Sequence, residues 1–158
     1  MFIGHFALGF AAKKAEPKVS LGTYFLAVQW ADLLWPTLLL LNVETVEISP
    51  GITRMAPLDF TSYPISHSLL MMGVWGAVLG GIYFLFKKYT RGAVVIAIAV
   101  VSHWILDFIT HRPDLPLYPG GTARVGLGLW NSFWGTIIVE FALYALCVWI
   151  YLHQTKAI

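Results

Sequence analysis

Residues 92–111 read Gly-Ala-Val-Val-Ile-Ala-Ile-Ala-Val-Val-Ser-His-Trp-Ile-Leu-Asp-Phe-Ile-Thr-His, and this stretch decides the fold. Its first half is apolar on every face, which is typical of a helix surrounded by lipid and not of a surface helix in a soluble domain. His103, Asp107 and His111 then follow at intervals of four residues. Residues four apart share one face of an α-helix, so these three form a polar stripe at the end of an apolar helix.

The stripe is costly in a membrane unless it has a partner. A carboxylate at the bilayer centre costs about 2.5–3.5 kcal/mol on insertion scales, whereas each Val, Ile, Leu or Phe returns about 0.3–0.6 kcal/mol. Asp107 therefore offsets the gain from several apolar neighbours and needs a compensating group. Two imidazoles and a carboxylate on one face suit zinc, manganese or iron, so the stripe predicts a metal site.

The composition indicates a membrane protein. Of the 158 residues, 58% are hydrophobic and 11% are charged, whereas soluble domains carry about 25% charged residues. Apolar stretches long enough to cross a bilayer lie at residues 21–41, 68–86, 92–110 and 130–152. Residues 1–12 are apolar but too short, and Pro36 is expected to kink the first span. We therefore predict a single all-α domain over residues 1–158, an integral membrane helical bundle of four transmembrane helices plus a short N-terminal half-helix.

Charge and cysteine content narrow the expected partners. The formal net charge of +2 is too small to indicate a nucleic-acid partner. The single cysteine, Cys147, excludes a disulfide framework within the chain and a cysteine zinc cluster. The expected partners are membrane lipid and a small-molecule or lipid substrate, and the sequence leaves oligomerisation open.

The distribution of lysine and arginine predicts the orientation. If the segment before residue 21 is cytoplasmic, seven of these residues lie inside and three lie outside, which obeys the positive-inside rule. The two longer loops, residues 42–65 and 111–129, are then exterior or periplasmic.

Ionisable residues of the other apolar segments are expected to meet the stripe. At about 1.5 Å rise per residue, Asp32 and His103 each lie roughly 17 Å from the inner ends of their helices, and Glu140 lies at a comparable depth. His67 stands at the outer end of the second span, and His5 lies in the N-terminal half-helix. The candidate metal ligands are therefore His5, Asp32, His67, His103, Asp107 and His111.

Each of these residues also has a purely structural interpretation. His103 and Asp107 could satisfy each other as a hydrogen-bonded pair one turn apart, and His67 could belong to a helix cap. Asp32 and Glu140 could serve helix packing. The number of candidates that meet at one depth favours the metal site.

A metal held by imidazoles and carboxylates, with one open coordination position, activates water for hydrolysis. Zinc is the first candidate, manganese and iron are alternatives, and the surplus of ligands leaves one or two ions open. Asp32, Asp107 and Glu140 are the candidate catalytic residues, because a carboxylate can accept a proton from the attacking water. Arg112 and Arg124 are the candidate substrate-binding residues, because guanidinium groups hold phosphate by paired hydrogen bonds; ordinary flanking charge explains them equally well.

The ordered motifs resemble a known family. They are Gly4-His5, Asp32-Leu33-Leu34-Trp35-Pro36, Ser66-His67-Ser68-Leu69-Leu70, Ser102-His103-Trp104-Ile105-Leu106-Asp107 and Thr110-His111. In this order they are similar to the predicted membrane-bound metal-dependent hydrolases of bacteria and archaea, one branch of which is described as LexA-binding inner-membrane hydrolases. The resemblance covers essentially the whole chain and implies a metal-dependent hydrolase of the cytoplasmic (inner) membrane.

A more remote likeness is to zinc-dependent phospholipase C. That analogy implies metal binding by His5, Asp32, His67, His103 and Asp107, with His111 as a further ligand. The later His-x3-Glu pair of those soluble enzymes has no counterpart, because Thr136 stands four residues before Glu140.

Two other functions stay open beside a hydrolase. A haem-binding electron-transfer protein would use histidines of different helices as axial ligands, although the neighbouring carboxylates disfavour it. A transporter or proton relay would also place Asp and His within the membrane, although four spans without an internal inverted repeat disfavour it. The leading prediction is a membrane hydrolase that acts on an ester or phosphoester, with a lipid as a candidate substrate, at a site in the outer half of the bilayer.

Overall fold

The computed structural model describes residue 1 and residues 3–153. Within them the chain is mostly helical, and the helices are α1 (Ile3–Ala15), α2 (Leu21–Val28), α3 (Trp30–Leu40), α4 (Pro64–His67), α5 (Leu69–Lys87), α6 (Thr90–Thr110) and α7 (Phe133–Leu152). The strands are β1 (Thr45–Ile48), β2 (Leu58–Ser62), β3 (Leu115–Pro116) and β4 (Arg124–Val125), and a 3-10 turn at Leu129–Asn131 precedes α7.

Among residues 3–153, three helices are long and apolar enough to cross a membrane, namely α5, α6 and α7. They match the spans predicted at residues 68–86, 92–110 and 130–152. Their outer faces expose large apolar side chains such as Leu85, Ile98 and Phe141. Because a helix satisfies its own backbone hydrogen bonds, such faces can lie against lipid. The prediction of a helical membrane-type fold is confirmed.

The span predicted at residues 21–41 is not a single helix, so the fourth transmembrane helix is not confirmed. It divides at Gln29 into α2, of 8 residues, and α3, of 11 residues. Pro36 lies within α3 and does not mark the break. Instead the carbonyl oxygen of Val28, the last residue of α2, accepts a hydrogen bond from His103 Nδ1 at 2.7 Å. A side chain that inserts into the helical hydrogen-bond ladder is a recognised cause of such breaks.

Helix α6 lies at the centre of the bundle. It packs against α5, α2, α1 and α3. The buried core where α2, α5 and α6 meet includes Tyr24, Ala27, Val28, Met72, Ile96 and Val100. Since one side of α6 packs against these helices, its polar residues can lie on that side and avoid lipid.

Helix α1 corresponds to the predicted half-helix at residues 1–12 and lies against α7, α2 and α6. Its C-terminal end is tied to the start of α6. The Tyr89 hydroxyl donates to Glu16 Oε2 at 2.6 Å, and Arg91 Nε lies 3.1 Å from the same oxygen. The hydrogen bond from Tyr89 lowers the pKa of the Glu16 carboxyl, so the pair with Arg91 stays charged at neutral pH.

The loops hold two antiparallel hairpins that the all-α prediction missed. β1 pairs with β2 in a register that places Ile48 opposite Leu58, and β3 pairs with β4 with Leu115 opposite Val125. Such short strands carry too little periodic pattern to be predicted from sequence. The Arg112 guanidinium joins the two loops, because it binds Asp59 of β2 as well as its near neighbour Asp114. We call the end of the bundle that carries these two loops, residues 42–65 and 111–129, the hairpin end.

Helices α5 and α6 approach closely through two glycines. A Cβ atom at Gly80 would stand 2.6 Å from the Ala93 carbonyl oxygen, and one at Gly76 would stand 2.8 Å from the Ala97 carbonyl oxygen. Both distances are shorter than van der Waals contact, so any side chain at either position must push the helices apart.

We expect Gly80→Ala to destabilise the protein by about 1–3 kcal/mol, because the new methyl group meets backbone and not a flexible side chain. Gly81→Ala is the matched control, since a Cβ atom there meets nothing within 4 Å. Thermal unfolding in detergent, followed by circular dichroism, should show a lower Tm for Gly80→Ala alone. Equal Tm values for the two variants would contradict the proposed contact.

Candidate metal centre

Four imidazoles and two carboxylates, contributed by separate parts of the chain, meet at the hairpin end. The histidines are His5 of α1, His67 of α4, His103 of α6 and His111, which directly follows α6; the carboxylates are Asp32 of α3 and Asp107 of α6. All six were predicted as metal ligands, and the structure brings all six together.

The Asp107 carboxylate lies at the middle of this group. Its Oδ1 is 3.1 Å from Nε2 of His5 and 3.9 Å from Nε2 of His111. Its Oδ2 is 3.0 Å from Nε2 of His103 and 3.8 Å from Nε2 of His67. The Met1 amino nitrogen donates to Oδ1 at 2.7 Å. Each oxygen of Asp107 therefore faces two imidazoles.

The Asp32 carboxylate approaches two of the same imidazoles from α3. Its Oδ1 is 3.5 Å from Nε2 of His67 and 3.7 Å from Nε2 of His103. The Asp32 side chain is 43% exposed, whereas that of Asp107 is 2% exposed. The group of ligands is therefore shielded from solvent around Asp107 and accessible to solvent at Asp32.

Three of the histidines have their Nδ1 atoms held by other residues. His103 Nδ1 lies 2.7 Å from the Val28 carbonyl oxygen, which can only accept a hydrogen bond. His111 Nδ1 lies 3.0 Å from Asp114 Oδ1, and a carboxylate also accepts. These partners place the imidazole proton on Nδ1, so the lone pair on Nε2 faces the carboxylates.

The third histidine, His67, also carries its proton on Nδ1, and two hydrogen bonds in series hold it there. The Ser66 hydroxyl donates to Glu44 Oε2 at 2.6 Å, and the same hydroxyl oxygen lies 2.7 Å from His67 Nδ1. Because the hydroxyl proton is already given to Glu44, the hydroxyl oxygen accepts from His67 Nδ1. The Nε2 lone pair of His67 is thereby also directed at the carboxylates.

Lone pairs that face carboxylate oxygens call for a cation between them. His103 Nε2 and both ring nitrogens of His5 are buried without a hydrogen-bond partner among the described residues. The two rings stack with centroids 3.7 Å apart, so protonating both would place two like charges in contact. One metal ion bound to Nε2 of both rings would satisfy these two nitrogens without that repulsion.

The spacing of the donor atoms fits such an ion. Zinc binds nitrogen and oxygen at about 2.0–2.2 Å, so two ligands of one tetrahedral ion stand about 3.3–3.6 Å apart. The separations of 3.0–3.9 Å bracket this value. Two groups of three residues each have their donor atoms within 4.8 Å of one another, namely His5, His103 and Asp107, and Asp32, His67 and His103.

Sequence reasoning missed the residues that orient the ligands. Ser66 and Asp114 stand one and three residues from histidines, and this short spacing is the signal that could have identified them. Glu44 lies far from His67 in sequence, in a loop without a recognisable motif. The Tyr63 hydroxyl donates to Asp114 Oδ1 at 2.9 Å, and burial raises the pKa of Tyr63 well above its usual value, so it stays a donor.

Three predicted site residues lie elsewhere. Glu140, a predicted catalytic residue, belongs to α7 and lies against the N-terminus of α1. There its Oε2 accepts a hydrogen bond from the Ile3 amide at 3.0 Å. A carboxylate at that position stabilises the helix dipole. Arg112 is paired with two aspartates, and Arg124 is exposed and donates to the backbone carbonyls of Gly121 and Ala123. None of the three residues lines the cavity beside the carboxylates.

That cavity has a volume of about 90 Å³. Its polar wall is formed by Asp32, His67, Asp107 and His111, with Met1 beside them. A small molecule that enters it therefore meets the imidazoles and carboxylates directly.

We expect Glu44→Gln to lower the stability by about 1–3 kcal/mol, because an amide cannot accept all the hydrogen bonds that the carboxylate accepts. Glu44 takes hydrogen bonds from the amides of Ile65 and Ser66, at 2.7 and 2.9 Å, and from the Ser66 hydroxyl. Glu47→Gln is the control, because Glu47 is exposed and lies in β1, the strand that directly follows Glu44. Tryptophan fluorescence during thermal unfolding measures both; a Tm that falls equally in the two variants would show that Glu44 has no special role.

Comparison with known proteins identifies the family. The model of the family described as YdjM inner membrane protein matches residues 56–158, which is more than half of the chain. The match includes α5, α6 and α7 and the ligand candidates His67, His103, Asp107 and His111. No curated protein and no solved structure matches the chain. The chain therefore belongs to the YdjM family of inner membrane proteins.

Proposed function

We propose that this protein is an integral-membrane, metal-dependent hydrolase that uses an activated water molecule to cleave an ester or phosphoester. One observation carries the proposal: three histidines have their Nδ1 atoms held by acceptors, and their Nε2 atoms converge on two carboxylates. Outer hydrogen bonds of this kind orient the ligands of metal sites.

Zinc is the first candidate metal, and manganese and iron are the alternatives, because the donor atoms are imidazole nitrogens and carboxylate oxygens. Its ligands would come from His5, His67, His103 and Asp107, and Asp32, the more exposed carboxylate, would stand beside it. When bound, such a metal lowers the pKa of a coordinated water toward neutrality and polarises the bond to be cleaved.

The geometry favours a single ion over two. His103 belongs to both groups of three ligands. Its Nδ1 is engaged with the Val28 carbonyl oxygen, so only Nε2 is available, and one nitrogen lone pair binds one ion. His111 belongs to neither group, and its Nε2 is the most distant of the four from Asp107.

The protein's own residues divide the remaining tasks. Asp32 is the more accessible carboxylate and lines the cavity, so it is the candidate acceptor for a proton from water. Asp107 is buried and anchors the imidazoles. His111, held by Asp114, faces the cavity and can orient a bound molecule.

For the membrane topology we propose that α2 and α3 together form the fourth crossing, with the break at Gln29 held by His103. In this arrangement the hairpin end is exterior or periplasmic, as the distribution of lysine and arginine predicts. Irregular backbone is tolerated at membrane depth where protein covers it, and Ala27, Val28 and Ala31 are buried.

The two other functions have less support. The Nε2 atoms of the four imidazoles lie 3.0–3.9 Å from the oxygens of Asp107, so a haem iron with its porphyrin ring has no room at these nitrogens. A transport path would have to continue through the rest of the bundle. There the side chains of Tyr24, Val28, Ile96 and Val100 are fully or almost fully buried, so they fill the space that a path would need.

The metal is tested by elemental analysis of the detergent-purified protein. We expect about one equivalent of zinc, manganese or iron per chain, and its loss in His103→Ala, because that variant removes the imidazole shared by both ligand groups. Asp107→Asn keeps the side-chain volume and should also lose the metal.

The control is His153→Ala. His153 is exposed and lies at the far end of α7, so its metal content should equal that of the parent. Two equivalents in the parent would contradict the single ion but keep the metal centre. No metal in the parent after incubation with zinc and manganese would overturn the metal centre itself.

Hydrolysis is tested separately with chromogenic esters and phosphoesters in detergent or nanodiscs. We expect turnover that a chelator abolishes and that added zinc or manganese restores, because the reaction depends on the bound metal. Asp32→Asn should bind metal but lose at least about 100-fold in kcat, since the proton acceptor is gone. Activity that persists in the chelated protein would exclude the proposed mechanism.

A further inference from the structure

The apolar wall of the cavity indicates the kind of molecule that fits it. Beside the carboxylates and imidazoles, the cavity is lined by Trp35, Ala56, Leu58, Phe60 and Trp130. The aromatic rings form a continuous wall, since Phe60 lies 5.4 Å from Trp35 and 6.4 Å from Trp130, measured between ring centroids. A bound molecule therefore meets both polar groups and aromatic rings in this cavity.

Cationic side chains are excluded from this lining. No lysine or arginine among residues 3–153 borders the cavity, and the Met1 amino group beside it already donates to Asp107. Arg112 is held by Asp59 and Asp114 in the link between the two loops. The predicted phosphate-binding role of Arg112 and Arg124 stays a prediction that the lining of this cavity does not support.

Among the described residues, the lining offers an anion no unpaired cationic side chain. Asp32 and Asp107 each contribute one negative charge, and the Met1 amino group, which contributes one positive charge, is already paired with Asp107. A phosphate ester would then enter an aromatic cavity without the guanidinium or lysine partners that usually hold phosphate. A neutral carbonyl group has no such requirement.

We propose that the substrate of this site is an uncharged carboxylic ester with apolar groups around the ester bond, and not a phosphate ester. The inference rests on the proposed hydrolase function. Phe60, Leu58 and Trp130 would then determine specificity by packing against the apolar groups, while Asp32 and His111 face the ester.

The net reaction is balanced by water alone. The oxygen of water forms a bond to the acyl carbon, and the bond between that carbon and the alcohol oxygen breaks. One proton of the water goes to the alcohol, and the other goes to solvent as the carboxylic acid ionises.

The test compares p-nitrophenyl butyrate with p-nitrophenyl phosphate, which share a leaving group, on the zinc-loaded full-length protein. We expect kcat/KM to be larger for the butyrate by at least about tenfold, since the phosphate lacks its usual cationic partner. The background rates of both substrates with His103→Ala are subtracted, because the butyrate also reacts slowly with water and with protein nucleophiles.

A charge introduced into the wall should change this preference. Leu58→Lys places an ammonium group in the lining, so the butyrate-to-phosphate ratio of kcat/KM should fall about tenfold or more. Leu127→Lys is the control: Leu127 is 67% exposed, lies outside the lining and adds the same charge, so the ratio should not change.

The outcomes separate the two proposals. Preference for the phosphate in the parent would overturn the ester inference and leave the metal-dependent hydrolase standing. A metal-loaded protein that cleaves neither substrate, nor longer-chain carboxylic and phosphate esters, would overturn both. A ratio that falls equally in the two lysine variants would show that surface charge, and not the cavity wall, governs the preference.

Discussion

The Asp107 carboxylate, buried within an apolar helix bundle, is the group on which the rest of this structure depends. In a medium of low dielectric constant an uncompensated carboxylate is strongly destabilising, so the fold has to supply partners for it. It does so with the Met1 amino group, which donates to Oδ1, and it surrounds the carboxylate with imidazoles from α1, α4 and α6 and from the residue that follows α6. The position of α6 at the centre of the bundle, in contact with four other helices, follows from that need.

The partners of Asp107 are themselves held by a surrounding set of hydrogen bonds. His103 Nδ1 donates to the Val28 carbonyl oxygen at the break between α2 and α3, and His111 Nδ1 donates to Asp114. His67 Nδ1 donates to the Ser66 hydroxyl, which in turn donates to Glu44. Each acceptor leaves a nitrogen lone pair directed inward, which a carboxylate cannot satisfy. A network whose inner side consists of acceptors is suited to a cation, and this distinguishes it from a set of polar residues that merely satisfy one another.

The same network explains why the irregular parts of the chain lie where they do. The helix break, the short helix α4 and both hairpins gather at the hairpin end, next to the ligands. There the backbone supplies what regular helices cannot, namely a carbonyl acceptor for His103 and a wall of aromatic side chains from β2 and its surroundings. The opposite half of the bundle, with its glycine contacts between α5 and α6, is regular and apolar.

The sequence by itself determined the membrane character, the three long helices and the six ligand candidates, because hydropathy and residue type are local properties. Only the tertiary structure decided how residues 21–41 are divided and which groups orient the imidazoles. It also showed that Glu140 caps α1 and that Arg112 binds aspartates. These outcomes depend on contacts between residues distant in the chain: Val28 with His103, Glu44 with Ser66, Ile3 with Glu140, and Asp59 with Arg112. No periodicity or spacing in a single segment encodes such pairings, since they arise only when the helices pack.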